Sequence, residues 1–125
     1  MEQATNGAFF QFGGRGVRLA AITDGLSNTL LVGEKHVPLG TFGQGMLDNS
    51  VYNGDYVLSH ARPAGPNFPL ARSRTERNPV FGSWHFGVVQ FAFCDGSVRP
   101  LPVGIDPYVL GLLAIRDDGQ AIPDY

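Results

Sequence analysis

Three histidines are the residues of this chain whose side chains could do acid–base or metal chemistry near neutral pH. They stand at positions 36, 60 and 85, and imidazole is the commonest ligand of transition metals in proteins. Their spacing does not match a zinc-protease helix, in which two histidines lie four residues apart around a glutamate. We therefore treat His36, His60 and His85 as candidate ligands of a divalent transition metal that only the fold could bring together.

Glu34 and His36 form the closest pairing of an acid with an imidazole along the chain. On an extended strand both side chains project to one face, with Cα atoms about 6.5 to 7 Å apart. The same face is predicted to carry Leu30 and Val32, and burial would oblige the two polar groups to pair with each other or with a third group. A catalytic pair, a metal site, a structural hydrogen-bond network and a simply solvated pair all remain open. The network is favoured because buried polar groups are usually satisfied by hydrogen bonds alone.

Nucleophilic catalysis has weaker support. Ser83 and His85 share a face of an extended segment, but the sequence offers no third orienting group and no Gly-x-Ser-x-Gly elbow. Cys94 is the only cysteine, and its place in an apolar strand favours a small core residue over a reactive thiolate. A single cysteine also excludes an internal disulfide framework and a zinc site built mainly on thiolates.

Short strands and turns are the elements that must position these residues. The alternation within residues 27–36 predicts one strand, and Val88–Arg99 predicts a hairpin. In that hairpin, Asp95 and Gly96 are expected to take the two positive-φ positions of a type I′ turn. Asp106 is expected to cap a short C-terminal helix that begins with proline at its first position.

The centre of the chain is predicted to be a long loop region. Residues 37–80 contain five prolines and five glycines, too many for long regular elements. Weaker patterns predict a short strand at residues 8–12, one helical turn within 17–22 and a small hairpin across 51–58.

The composition describes one β-rich domain over residues 1–125. The chain has 17 glycines and nine prolines, and 43% of its residues are hydrophobic. We predict a compact, mainly antiparallel domain of the β-sandwich or jelly-roll type with one short C-terminal helix. A net charge of −2 with scattered basic residues disfavours nucleic acid as a partner. No run approaches the roughly 18 apolar residues of a membrane span.

Three segments together are similar to a known family. They are residues 22–35, residues 81–85 and Asp95–Val98, and nine residues separate His85 from the Asp95-Gly96 pair. The chain resembles the prepilin-like domain family of unknown function, abundant in planctomycete bacteria, with a C-terminal His-x9-Asp-Gly signature. Members usually begin with a type IV prepilin segment and a long hydrophobic helix. The resemblance implies that this chain corresponds to their C-terminal β-rich part, with Phe86 where proline is common.

Most of the matching positions have an evident structural use. They are Asp24, Gly25, Ser27, Asn28, Thr29, Glu34, His85, Asp95 and Gly96. The two Asp-Gly pairs suit turns, and short polar side chains bond neighbouring backbone in loops. Glu34 and His85 have no such use, and we expect folding to bring them together on a scaffold of strands.

Two functional hypotheses follow. The first is an extracellular or cell-surface, pseudopilin-like binding or assembly module whose partners are polysaccharide or other pilin-like subunits, with a homo-oligomer as one form. It rests on the resemblance, on the loop aromatics and on the lack of a recognisable catalytic constellation. Exposed strands and glycine-rich segments could also serve subunit packing alone.

The second hypothesis is a small metal-dependent enzyme, either a hydrolase acting on sugars or esters or an oxidative enzyme. His36, His60 and His85 would be its ligands, and Glu34 or Asp95 would be a further ligand or the general base. A glycosidase with paired carboxylates, in which Glu34 works with Asp95 or Asp55, is a variant of the same hypothesis. The candidate catalytic residues are therefore Glu34, His85 and Asp95.

Overall fold

The computed structural model of this chain describes residues 6–9, 16–45 and 47–125. It contains three strands, named β1 (Leu30–Gly33), β2 (Val88–Phe93) and β3 (Val98–Pro102), and one helix, α1 (Pro107–Ala114). Single turns of 3-10 helix occupy Leu19–Ala21, Leu26–Asn28 and Val57–Ser59. The described residues are mostly non-helical, and the predicted C-terminal helix is present.

The strands form one antiparallel sheet in the order β1-β2-β3. A sandwich or jelly roll needs a second sheet, and none occurs in the ranges that the structure describes. The predicted loop region explains this, because in residues 37–80 only the turn at Val57–Ser59 is a regular element of two or more residues. The small hairpin predicted across 51–58 is therefore wrong. The strand predicted at 8–12 falls mostly outside the described residues.

The hairpin between β2 and β3 is confirmed, but its turn differs from the prediction. Gly96 has a φ of 84°, whereas no described residue other than glycine has a positive φ. Phe93 O accepts from Gly96 N at 2.9 Å, and Phe93 N donates to Ser97 O at 2.9 Å. This is a three-residue connection ending in a left-handed glycine, so Asp95 does not need the conformation that a type I′ turn would impose.

A β-bulge in β1 changes which side chains share a face. Leu30 pairs with Phe93 and Val32 with Ala92, so β1 has one more residue than β2 between the two pairs. The bulge turns Leu30 to the core at 8% exposure and Val32 to solvent at 57%. The prediction that these two residues share a face is therefore wrong.

The core lies between the inner face of the sheet and α1. Asp106 caps the helix by accepting from Tyr108 N, and Pro107 occupies the first position as predicted. The buried apolar cluster consists of Leu30, Leu70, Val89, Phe91, Phe93, Leu101, Ile105, Val109, Leu110 and Leu113. Sheet and helix therefore share one core, which holds β2 rigidly beneath the surface that carries the candidate site.

Two features of the sheet limit what can pack against it. β3 is an edge strand and contains Pro100 and Pro102, which pair with Gln90 and Val88 of β2. Gly33 ends β1 beneath an edge-to-face pair of rings, Phe81 and Phe91, whose centroids are 5.2 Å apart. Among the described residues, no helix is long and apolar enough to cross a membrane.

Candidate functional site

The fold brings Glu34 and His85 into direct contact. His85 Nε2 donates to Glu34 Oε1 at 3.0 Å. The second carboxylate oxygen, Oε2, accepts from the backbone N–H of Gln90 at 2.6 Å. The backbone of Glu34 also accepts from Gly82 N at 3.0 Å. The expected meeting of Glu34 and His85 therefore occurs, at the point where β1 ends beside the middle of β2.

Ser83 shapes the loop that presents His85. Its hydroxyl donates to Val88 O at 2.6 Å and accepts from His85 N at 3.1 Å. Both bonds go to backbone within five residues, which is the usual use of serine in a tight loop. The hydroxyl is thus committed to holding the loop, in agreement with the absence of a nucleophile motif.

The contact between Glu34 and His85 has a defined chemical capability. A carboxylate can only accept, so in the neutral imidazole the bond places the proton on Nε2 and leaves Nδ1 as the basic nitrogen. The pair is accessible, with 59% of the His85 side chain and 33% of the Glu34 side chain exposed. A carboxylate that orients an imidazole in this way can support general-base chemistry on water.

A shallow cleft of about 380 Å³ opens beside His85. Its lining residues are Ala71, Arg72, Ser73, Arg74, Ser83, Trp84, His85, Phe86, Gly87 and Val103. Two loops supply nearly all of them, one after Leu70 and one before β2. The bond from His85 to Glu34 therefore fixes one wall of the cleft to the sheet.

Trp84 is held in the cleft by three contacts. Its indole N–H donates to Val37 O at 3.2 Å. The ring of Phe42 lies 5.2 Å away between centroids, and the guanidinium carbon of Arg74 lies 4.9 Å from the centroid of the indole ring. These contacts use the preferred tilted geometry of aromatic pairs and a cation–π interaction. Trp84 is therefore a fixed wall of the cleft.

His36 lies apart from Glu34 in its bonding, contrary to the predicted pair. Its ring is 2% exposed, and Nε2 donates to the backbone carbonyl of Glu76 at 2.8 Å. The backbone partners change beyond Gly33: Glu34 N donates to Gln90 O and His36 N donates to Val80 O, each at 3.3 Å, so the two side chains have different neighbours. His36 anchors the loop that follows Leu70, which is the structural interpretation left open by its sequence pattern.

The three histidines do not assemble a metal site. His36 is buried against the backbone of Glu76, His60 is exposed after the turn at Val57–Ser59, and His85 bonds to Glu34. In the ranges that the structure describes, no group of three or more His, Cys, Asp or Glu side chains could hold a metal ion. The three predicted ligands are therefore not brought together, because His36 bonds to a backbone carbonyl, His85 bonds to a carboxylate, and His60 lies exposed in a separate segment.

Asp95 serves the hairpin turn. Its Oδ1 accepts from Ser97 N at 2.9 Å and from Ser97 Oγ at 2.7 Å. Both bonds favour the carboxylate, and they lower the pKa of Asp95 from its usual 3.8. Asp95 lies in the turn beyond Phe93, which is itself about 10 Å along β2 from Gln90, so Asp95 is not placed to work with Glu34.

We expect Asp95 to contribute to the decrease in the free energy of unfolding as the pH is lowered into the acid range. A carboxylate with a lowered folded pKa stabilises the fold above its unfolded pKa, and the contribution disappears as pH falls through the folded pKa. Asp95→Asn should therefore lose stability near pH 6, and its difference from the parent protein should disappear as the pH falls below 3.8 through the lowered pKa of Asp95. Urea unfolding between pH 2 and 6 tests this, with Asp55→Asn in an exposed loop as the control. Equal differences from the parent at every pH would contradict it.

Two of the three segments that carry the resemblance, residues 22–35 and Asp95–Val98, lie side by side. Cys94 N donates to Thr29 O at 2.9 Å, and Asp95 N donates to Leu26 O at 3.0 Å. Asp24 accepts through its two oxygens from Asp118 N and Gly119 N, each at 2.8 Å. Most motif residues therefore stabilise turns and contacts between segments, as the turn chemistry predicts. The bond between Glu34 and His85 differs, because His85 lines the cleft.

Sequence reasoning missed Arg72 and Arg74 as site residues. Both belong to a segment that was predicted only to be an exposed loop, yet both line the cleft. The available signal was the cluster of arginines at 72, 74 and 77. No pattern in the sequence indicates that these arginines lie near Trp84, so their place in the cleft is evident only from the fold.

A family model described as "Protein of unknown function (DUF1559)" matches residues 1–108. No curated protein and no solved structure is significantly similar to the chain.

Proposed function

We propose that this chain, which belongs to the DUF1559 family of proteins of unknown function, is a surface-associated or secreted module that binds polysaccharide in the cleft beside His85. It would be pseudopilin-like and could assemble with similar subunits. The observation that carries the binding proposal is Phe86, whose side chain is fully exposed on the rim of a concave surface.

Exposed aromatic rings support a binding role because they are grouped. Phe42 and Phe86 are both largely exposed, and Trp84 lies against Phe42 and beside Phe86 in sequence. A single exposed apolar residue needs no explanation, but Trp84 and Phe86 line one cleft and Phe42 packs on Trp84, and grouped rings of this kind are typical of a binding site. The apolar faces of sugar rings are suited to pack on such side chains.

The loop that carries Phe86 is held in place before any ligand arrives. His85, next to Phe86, is bonded to Glu34, and Ser83 closes the loop on Val88. Trp84 is tied to Val37. A surface fixed in this way loses little conformational entropy on binding, so weak contacts can contribute net affinity.

The surface location and the pseudopilin-like character rest on the resemblance of the motif segments. Expression of the full-length natural gene product with an epitope tag, followed by cell fractionation and surface labelling, tests the location. Sedimentation velocity tests assembly. Recovery of the protein only from the cytosol, together with a strictly monomeric state at all concentrations, would contradict this part of the proposal.

We expect Phe86→Ala to weaken polysaccharide binding by about tenfold, the effect of losing one good aromatic contact. Tyr52→Ala is the matched control, because the two side chains are 103% and 94% exposed and Tyr52 lies outside the cleft. Affinity electrophoresis in gels that contain neutral or acidic polysaccharides measures the effect. Failure of every polymer to retard the protein, or equal losses in both variants, would reject the proposal.

A hydrolase that acts on sugars or esters is the second candidate, favoured by the carboxylate-imidazole contact itself. His85 Nδ1 would take a proton from water while Glu34 holds Nε2–H, and the water oxygen would form a bond to the acyl or anomeric carbon. The bond from that carbon to the leaving oxygen would break, and that oxygen would receive the proton from Nδ1. No metal is required for this route. Release of reducing ends or of nitrophenol from model esters, lost in His85→Ala and in Glu34→Gln, would establish it. Absence of turnover in the parent protein would exclude it.

A further inference from the structure

We infer that the polysaccharide is acidic and that Arg72 and Arg74 bind its carboxylate groups. This inference rests on the proposed function and names the ligand class of the same cleft. The residues that line the cleft include two cationic side chains, Arg72 and Arg74, and, within the described residues, no acidic one. The cleft therefore carries positive charge although the net charge of the whole chain is −2.

The guanidinium of Arg72 has no partner in the part of the chain that the structure describes. Its backbone N–H donates to Glu76 Oε2 at 3.1 Å, but its side chain makes no hydrogen bond or ion pair there. Arg74 has only the indole of Trp84 and a long bond of 3.5 Å to Trp84 O. Neither guanidinium is therefore neutralised by a carboxylate.

Two carboxylates that bond to residues of the cleft are engaged by donors other than the two guanidinium groups. Glu76 uses Oε2 for Arg72 N and Oε1 for the side-chain amide of Asn78. Glu34 uses its two oxygens for His85 and Gln90. The protein thus directs both nearby carboxylates to backbone, amide or imidazole donors, and the two arginines remain available to an incoming anion.

The chemistry of arginine favours a carboxylate on a sugar. The planar guanidinium offers parallel N–H donors that match two carboxylate oxygens. Phe86 supplies an apolar ring at the same cleft for the sugar face. A polyuronate joins these two features in every repeating unit. A nucleic acid fits less well, because the basic residues of the chain form no continuous track.

Two forms of one polymer separate charge from shape. Polygalacturonate carries a carboxylate on each sugar, and its fully methyl-esterified form has the same backbone without the charge. Trp84 is the only tryptophan of the chain and lines the cleft, so its fluorescence can report binding. We expect polygalacturonate to bind at least about tenfold more tightly than the ester at low salt, and the difference to shrink as salt is added.

Arg72→Gln should remove most of that preference and leave the contacts of Trp84 in place. The double variant Arg72→Gln/Arg74→Gln should remove all of it, with calorimetry as the readout because Arg74 touches the indole. Arg77→Gln is the control, since Arg77 lies on the same loop and does not line the cleft. Circular dichroism and thermal unfolding verify that each variant is folded.

The outcomes separate this inference from the proposed function. Equal binding of both forms of the polymer would overturn the acidic ligand and keep polysaccharide binding. Binding of neither form, nor of any other polysaccharide, would reject both. Tighter binding of dextran sulfate or of oligothymidylate than of polygalacturonate would also overturn the inference, in favour of a sulfated sugar or a nucleic acid. Loss of the preference in Arg77→Gln as well would mean that the charge effect is not located in the cleft.

Discussion

Glu34→Ala should destabilise the protein by about 1 to 3 kcal/mol and release the loop that carries Phe86. The carboxylate accepts from the half-buried N–H of Gln90 at 2.6 Å, and removal of an acceptor leaves that donor unsatisfied next to the core. The same change breaks the bond to His85, so the loop loses its tie to β1. Chemical denaturation measures the first effect, and hydrogen exchange of residues 83–87 measures the second.

Two further variants show which of the two hydrogen bonds of the Glu34 carboxylate contributes more to stability, the bond to Gln90 N or the bond to His85. Glu34→Gln keeps an oxygen for Gln90 N and should cost clearly less than Glu34→Ala. His85→Ala removes an exposed partner and leaves Gln90 N satisfied, so its stability cost should stay below about 1 kcal/mol. Both His85→Ala and Glu34→Ala should weaken polysaccharide binding. If His85→Ala destabilised the protein as much as Glu34→Ala, the bond to Gln90 would not be the main contribution.

Gly33→Ala should destabilise the protein by a similar amount for a steric reason. A Cβ at this position would lie 2.6 Å from Cδ1 of Phe91 and 2.9 Å from Cδ1 of Phe81. Phe91 is buried in the main core and cannot withdraw without disturbing its neighbours. Overpacking of this kind costs about 1 to 3 kcal/mol, and thermal unfolding should show a drop of about 3 to 5 °C for each kcal/mol.

Gly104→Ala is the control for the alanine substitution itself. A Cβ there would meet no atom within 4 Å, so the change should be neutral or slightly stabilising. Phe91→Leu in the background of Gly33→Ala should recover part of the loss, because it vacates the space that the new methyl group needs. Strict additivity of the two changes would show that the clash is relieved by another route.

The hairpin, the helix and its cap could be predicted because their signals are local. Alternation in β2, a turn dipeptide, and Asp106 followed by proline each depend on only a few neighbouring residues. The bulge in β1 could not be predicted in the same way. Its one extra residue is defined by the pairing with β2, and it moved Val32 to a different face from Leu30.

The candidate site was predictable only in part. The meeting of Glu34 with His85 was expected from the motif segments, since neither residue had a use in a turn. The assignment of His36 to the same cluster was wrong because its partner is the carbonyl of Glu76, in a loop without periodicity. The arginines of the cleft belong to that loop too, so their role depends on long-range packing that local patterns do not encode.

The prolines of β3 limit how copies of this chain could join. Proline has no N–H to give to a ladder, so its nitrogen must face away from β2 at Pro100 and Pro102. A strand from another copy that paired with this edge would find no backbone N–H donor at Pro100 or Pro102. The addition of strands from other copies along this edge is therefore disfavoured. The protein can expose aromatic side chains in its cleft while this edge of the sheet is protected against aggregation.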